Sequence, residues 1–224
     1  RPYVAEASGN DAMLVLAGAH LDRAAEAAAL AGFANSGQLC MAAKRLIVER
    51  SVWEGFRPRL VRAVEGLVLG DPGHERTDIA PLAEGPARAH ARQALAEALA
   101  LGGEIVVGEG ERGPFFTPTV ILLPRRALDS MLWREEVFAP LRALVLAEDA
   151  ADAVALANDT SFGLGASVFG GPPEVAAGLR AARVVVEETP LYQDPNLVVG
   201  GVRDSGFGGA RPKLEQLVYA RRVH

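Results

Sequence analysis

Cys40 is the only cysteine of a 224-residue chain, and it stands in Gly37-Gln38-Leu39-Cys40. A carboxylate, Glu6, lies upstream in Glu6-Ala7-Ser8-Gly9-Asn10. A thiol and a carboxylate are the two groups needed to trap an aldehyde covalently and then hydrolyse the acyl product. The thiolate attacks the carbonyl carbon, and a backbone N–H beside it can hold the resulting oxyanion. Gly37 lets the main chain come close to a substrate. Glu6 follows the short apolar run Val4-Ala5 and precedes Ser8-Gly9, which can turn sharply. A carboxylate at a strand end in a partly apolar setting can serve as a general base on water. Each residue alone has a plainer reading. A lone cysteine is most often a small buried hydrophobe, and a lone glutamate is most often solvated.

These groups need a scaffold to position them, and the pattern of the chain predicts one. Residues 12–17 read as a buried strand. Residues 21–34 are rich in alanine and free of β-branched side chains, which predicts a helix. Asn35, Ser36 and Gly37 end it, leaving Cys40 on a short connection. Residues 44–49 read as a strand. Residues 52–69 carry apolar side chains at helical spacing up to Gly70-Asp71-Pro72. Further on, helices are predicted over 86–101, 150–158, 173–182 and 214–220. Strands are predicted over 104–107 and 142–147, a short strand over 167–169, and a buried strand over 184–186. Residues 116–123 form an extended run interrupted by Pro118. Strands alternating with helices imply an α/β fold: a mostly parallel sheet with helices on both faces. No internal repeat, low-complexity tract or linker divides residues 1–224, which read as one domain.

Composition narrows the function. Half of the residues are hydrophobic, the net charge is −5, and acids and bases are interspersed. Nothing resembles the basic stripe of a nucleic-acid surface. One cysteine excludes an internal disulfide framework and any multi-cysteine zinc site, and it fits a reducing cytoplasm. The four histidines are scattered without metal-ligand spacing. No apolar stretch approaches ~20 residues, so no membrane span is expected, and no signal peptide is visible. The chain begins with arginine rather than methionine and reads as a fragment, a processed product or an excised domain. Residues 108–113 spell a literal GxGxxG after a predicted strand. Pro114 and Phe115-Phe116 then lead into another extended run instead of a helix, and two glutamates would repel phosphate. A hairpin-like turn is the better reading.

Several segments, taken in order, resemble the aldehyde dehydrogenase superfamily. Phe33-Ala34-Asn35-Ser36-Gly37-Gln38-Leu39-Cys40-Met41-Ala42-Ala43-Lys44-Arg45 is similar to its cysteine region. Glu6-Ala7-Ser8-Gly9 is similar to its Glu-Leu-Gly-Gly motif, with Ala7 for leucine and Ser8 for glycine. Phe116-Thr117-Pro118-Thr119 resembles its Phe-x-Pro-Thr segment. Glu135-Glu136-Val137-Phe138-Ala139-Pro140 resembles Glu-Glu-x-Phe-Gly-Pro. Two further stretches, 157–164 and 200–208, match in the same order.

The resemblance implies the catalytic half of an enzyme that oxidises an aldehyde to a carboxylic acid with NAD or NADP. It implies Cys40 as nucleophile, Glu6 as general base, Glu136 on the nicotinamide ribose hydroxyls and Phe138 flanking the nicotinamide. It further implies a homo-oligomer, a dimer, and a dinucleotide-binding half lying before residue 1. The isolated chain is then expected to bind dinucleotide poorly and to turn over little aldehyde. A CoA-acylating branch lacks the general base, so Glu6 argues against it. Ser8, Ala139, Glu187, Val198-Val199 and Arg203 depart from the family pattern. They leave open an alternative: a non-catalytic module of this fold that serves oligomerisation or covers another active site.

Overall fold

Apolar strands of four to seven residues, separated by alanine-rich helices, assemble into a seven-stranded sheet in the computed structural model, which describes residues 5–192 and 200–207. In chain order the elements are β1 (Ala5–Glu6), β2 (Asp11–Val15), α1 (Leu21–Phe33), β3 (Ala43–Glu49), α2 (Arg50–Glu65), α3 (Pro86–Ala100), β4 (Glu104–Val107), β5 (Glu111–Arg112), β6 (Phe115–Phe116), β7 (Thr119–Leu122), α4 (Met131–Arg134), β8 (Leu141–Ala147), α5 (Ala150–Asn158), β9 (Gly165–Phe169), α6 (Glu174–Gly178), β10 (Arg183–Val186) and β11 (Gly206–Phe207). The main sheet runs β10-β9-β2-β3-β8-β7-β4. Every neighbouring pair is parallel except β4 against β7.

Among the inner strands, β9, β2, β3 and β8 are covered on both faces, which is why they read as near-continuous apolar runs. On one face lie α1 and α2. Ala24, Ala25, Ala28 and Ala31 of α1 are small enough to bring its axis close to the sheet, while α2 inserts Trp53, Phe56, Leu60 and Val64. The other face carries α3, α4, α5 and α6, with Ala91, Ala94 and Ala98, Trp133, Leu156 and Val175 in the core. The expected α/β architecture is present. Two small ribbons complete it: β5–β6, the hairpin expected at the GxGxxG stretch, and β1–β11, which pairs Glu6 with Gly206.

Some local expectations change. The helix expected to reach residue 69 ends at Glu65, because Val68 turns away to bond the 78–79 segment: its carbonyl accepts from the Asp78 and Ile79 amides, and its amide donates to the Asp78 carboxylate. The helix expected over 173–182 is confined to Glu174–Gly178. Asn158 takes over beyond it, donating to the Gly178 carbonyl and accepting from the Arg180 amide. β10, expected to be buried, is partly exposed, with Val186 at 57%. It is the last strand in the sheet order, so only one of its sides is paired among the described residues. The helix expected over 214–220 lies outside the described residues.

Strands β2, β3 and β8 are entered through the segments that hold Glu6 to Asn10, Gly37 to Ala42 and Glu135 to Pro140. All three therefore cluster at the amino ends of parallel strands. Ligands of open α/β sheets usually bind outside the carboxyl ends, so this arrangement could not be inferred from the fold class.

Candidate active site

The cysteine loop starts where α1 stops. Asn35, Ser36 and Gly37 all adopt left-handed backbone angles, with φ of 52°, 56° and 72°. Asparagine and glycine tolerate this region; serine does so at a cost. Ser36 is held there by Ala80, whose amide donates to Oγ at 3.0 Å and whose carbonyl accepts from it at 3.3 Å. The turn reverses the chain and leaves Cys40 half-buried on a non-helical connection. Among the described residues no acceptor pairs with the Cys40 N–H, so that donor is available to an oxyanion.

Two buried cations hold this loop. Lys44 is 2% exposed at the start of β3. Its ammonium donates to the Leu39 carbonyl at 2.8 Å and to the Cys40 carbonyl at 2.7 Å, and it pairs with Glu136 Oε1 at 3.1 Å. Arg142, fully buried on β8, donates to the carbonyls of Gly32, Gly37, Val137 and Leu141. Its guanidinium lies 5.7 Å from the Phe33 ring. It thereby joins the end of α1, the cysteine turn and the Glu136–Phe138 segment. Burial pushes its pKa down to about 9, against the pull of Glu136.

The Glu6 segment is drawn to the same point by its fourth motif residue. The Gly9 amide donates to Glu136 Oε1 at 3.1 Å. A Cβ on Gly9 would overlap the Cys40 carbonyl oxygen and lie 2.8 Å from Leu164 Cδ2. On the other face of the sheet Asn10 is anchored by Trp133, whose carbonyl accepts from Nδ2 at 2.9 Å. Arg45 anchors it too, donating to the Asn10 carbonyl at 3.0 Å and stacking 5.0 Å from the Trp133 ring. We expect Gly9→Ala to destabilise the fold by about 1–3 kcal/mol, since backbone and not a flexible side chain must move. Urea denaturation reads the stability and Cys40 alkylation the loop; an unchanged variant would show that the Cys40 carbonyl shifts freely.

The structure thus brings together the segments of Cys40, Glu6 and Glu136. Glu136 is largely buried, its side chain 15% exposed. Both of its contacts with described residues fall on Oε1, which leaves Oε2 for a ligand hydroxyl. Phe138 is partly buried two residues further on. Glu6 itself, on β1, is exposed, and the described residues do not form the apolar surround expected for it. Sequence reasoning does not single out Lys44, Arg45 or Arg142. A signal for the first two exists: consecutive cations opening the apolar run Leu46-Ile47-Val48. Among the described residues no group of three histidine, cysteine or acidic side chains could hold a metal ion.

The sequence model of the aldehyde dehydrogenase family matches residues 1–221, nearly the whole chain. The chain belongs to the aldehyde dehydrogenase family. It is 36% identical over 213 residues to the succinate semialdehyde dehydrogenase Sad of Escherichia coli strain K12, named for NAD(P)+; the match covers 92% of this chain and 45% of that protein. A lactaldehyde dehydrogenase of Methanococcus vannielii is 29% identical, over 97% of this chain and 48% of its own length. Among solved structures, an Escherichia coli NADP-dependent enzyme superposes with a TM-score of 0.86 at 32% identity, over 92% of this chain and 44% of that one. An indole-3-acetaldehyde dehydrogenase in complex with NAD+ gives 0.85 at 29% identity, over 93% and 43%. The chain spans less than half the length of these relatives. Within this aldehyde dehydrogenase family chain Glu187 has a φ of 55°. Asparagine is the commoner non-glycine choice for that backbone. Here the Glu187 carboxylate instead accepts from the Gly170 amide at 2.7 Å.

Proposed function

We propose that this chain is the catalytic domain of an NAD(P)-dependent aldehyde dehydrogenase, with Cys40 as nucleophile and Glu6 as general base. One observation supports the reading: the Lys44 ammonium holds the Cys40 carbonyl and the Glu136 carboxylate together, Gly9 donates to the same carboxylate, and the Cys40 side chain is half-exposed.

In this mechanism the Cys40 thiolate adds to the aldehyde carbon, and the Cys40 N–H supports the oxyanion. A bound NAD(P) would supply the hydride acceptor that this oxidation to the thioester requires. Glu6 takes a proton from water, which attacks the thioester; the carbon–sulfur bond breaks and a carboxylic acid departs. The exposure of Glu6 suits access by water, and β1–β11 pairing fixes its main chain. Glu136 would receive the ribose diol on Oε2, its other oxygen being held by Gly9 and Lys44. Phe138 would flank the nicotinamide ring. The rest of the dinucleotide site is assigned to the half of the family length that this chain does not span. The isolated chain is accordingly expected to show little turnover.

The test separates this reading from a non-catalytic module. Cys40 should be alkylated by iodoacetamide at neutral pH faster than a free cysteine peptide, because a nucleophilic cysteine is accessible and reactive. An added aldehyde should slow that labelling by occupying the sulfur. A Cys40 no more reactive than the peptide, and indifferent to aldehyde, favours the oligomerisation or covering role instead. Robust NAD-dependent turnover by the 224-residue chain would refute the predicted inactivity alone.

A further inference from the structure

The Lys44 ammonium has three N–H donors, and three acceptors surround it: the Leu39 carbonyl, the Cys40 carbonyl and Glu136 Oε1. The two carbonyls belong to the candidate nucleophile and its neighbour. The carboxylate belongs to the segment assigned to the cofactor, and it also accepts from Gly9. A deprotonated amine would have two donors for three acceptors, and its lone pair would face an oxygen. The arrangement therefore favours the charged form. Burial pushes this lysine below its usual range, while Glu136, the nearest opposing charge, pushes it back up; Asp11 assists and Arg142 opposes.

We infer that Lys44 is a positioning residue: it locks the Cys40 main chain to the Glu136 side chain and supplies the positive charge that balances Glu136 beside the thiol. The inference rests on the reading of Cys40 as nucleophile. It adds a role that Lys44's place in an apolar strand does not suggest. A hydrophobic residue of the same length would fill the space, yet it would leave two carbonyls unpaired and a partly buried carboxylate uncompensated next to the sulfur.

The test compares two alkylating agents on Cys40 in the 224-residue chain at fixed pH: neutral iodoacetamide and anionic iodoacetate. In Lys44→Met the iodoacetate-to-iodoacetamide rate ratio should fall about tenfold, because the unpaired Glu136 repels the anionic reagent. Lys44→Arg should recover much of the ratio by keeping a cation. The double variant Lys44→Met with Glu136→Gln should recover it by removing the stranded charge. A purely space-filling lysine would alter both rates together and leave their ratio unchanged, and that result in folded Lys44→Met overturns the inference. Should Lys44→Met not fold, Glu136→Gln alone decides. It leaves the Lys44 charge unbalanced, so the ratio should rise about tenfold, and an unchanged ratio overturns the inference. The absolute wild-type iodoacetamide rate tests the nucleophile reading separately. A slow rate with a Lys44-dependent ratio removes Cys40 as nucleophile but keeps the charge coupling. A fast rate with an unchanged ratio removes only the role of Lys44.

Discussion

Replacing Arg142 with methionine should lower the stability of the fold by about 2–4 kcal/mol, and the same change should loosen the cysteine loop. Two opposing effects set this value. Removing the guanidinium abolishes the cost of burying a charge, a cost visible in its pKa of about 9. Such costs can make a hydrophobic replacement neutral or better when both partners of a buried pair are replaced. Here the partners are main-chain carbonyls of Gly32, Gly37, Val137 and Leu141, which no substitution removes. Each stranded acceptor costs about 1–3 kcal/mol, and four of them outweigh the relief of one buried charge. Loss of the contact with Phe33 adds to the cost. Urea denaturation measures the stability change. Arg142→Lys should rescue little, since one ammonium cannot span four carbonyls. A methionine variant as stable as the wild type would mean that desolvation dominates and the brace contributes nothing net.

Asp11 should make the protein less stable as pH rises from about 4 to 6, opposite to the usual behaviour of carboxylates. It is buried at the start of β2. Oδ1 accepts the Gly165 amide at 2.9 Å, and Oδ2 has no partner among the described residues. Burial raises its pKa from 3.8 to about 6, against the pull of Lys44, the Gly165 amide, Arg183 and Arg45. Below pH 3.8 the carboxyl is protonated in both the folded and unfolded chain, and nothing is lost. Between 3.8 and about 6 the unfolded chain gives up the proton more readily than the folded one, so stability falls as pH rises. Above that window the full penalty stands, on the order of 3 kcal/mol. Surface carboxylates such as Glu111, held low by Arg92 and Arg88, titrate with the opposite sign. The decisive quantity is therefore the difference between Asp11→Asn and wild type. The substituted amide can keep an oxygen for the Gly165 N–H, so the unfolding free energy of the variant should gain on the wild type by about 3 kcal/mol across the window. Any constant offset from its new amide hydrogens does not affect that slope. A difference that stays flat with pH would show that Asp11 titrates alike in both states.

Both residues show where the sequence stops being informative. Cys40, Glu6, Glu136 and Phe138 are legible as a set because their neighbours repeat the wording of a family, and the matches fall in family order. Arg142 and Asp11 have no such wording. Arg142 lies in a stretch that reads simply as the strand 142–147, and only coordinates show that its guanidinium gathers carbonyls from three separate segments. The exposure of Glu6 is equally hidden, because it depends on what covers β1 rather than on β1 itself.

The linear order of residues was enough to specify the alternation of strands and helices, the helical state of the alanine-rich α1, the breaks at Asn35–Gly37 and Pro118, and the family. Each of these follows from local propensity, period and short-range wording, which act within a few residues. Folding in three dimensions decided which strand ends face one another, that the site gathers at the amino edge of the sheet, and that Lys44 and Arg142 hold it there. Those outcomes arise from charges and carbonyls on separate elements satisfying one another in a low-dielectric interior. A single line of letters carries no distance between such partners.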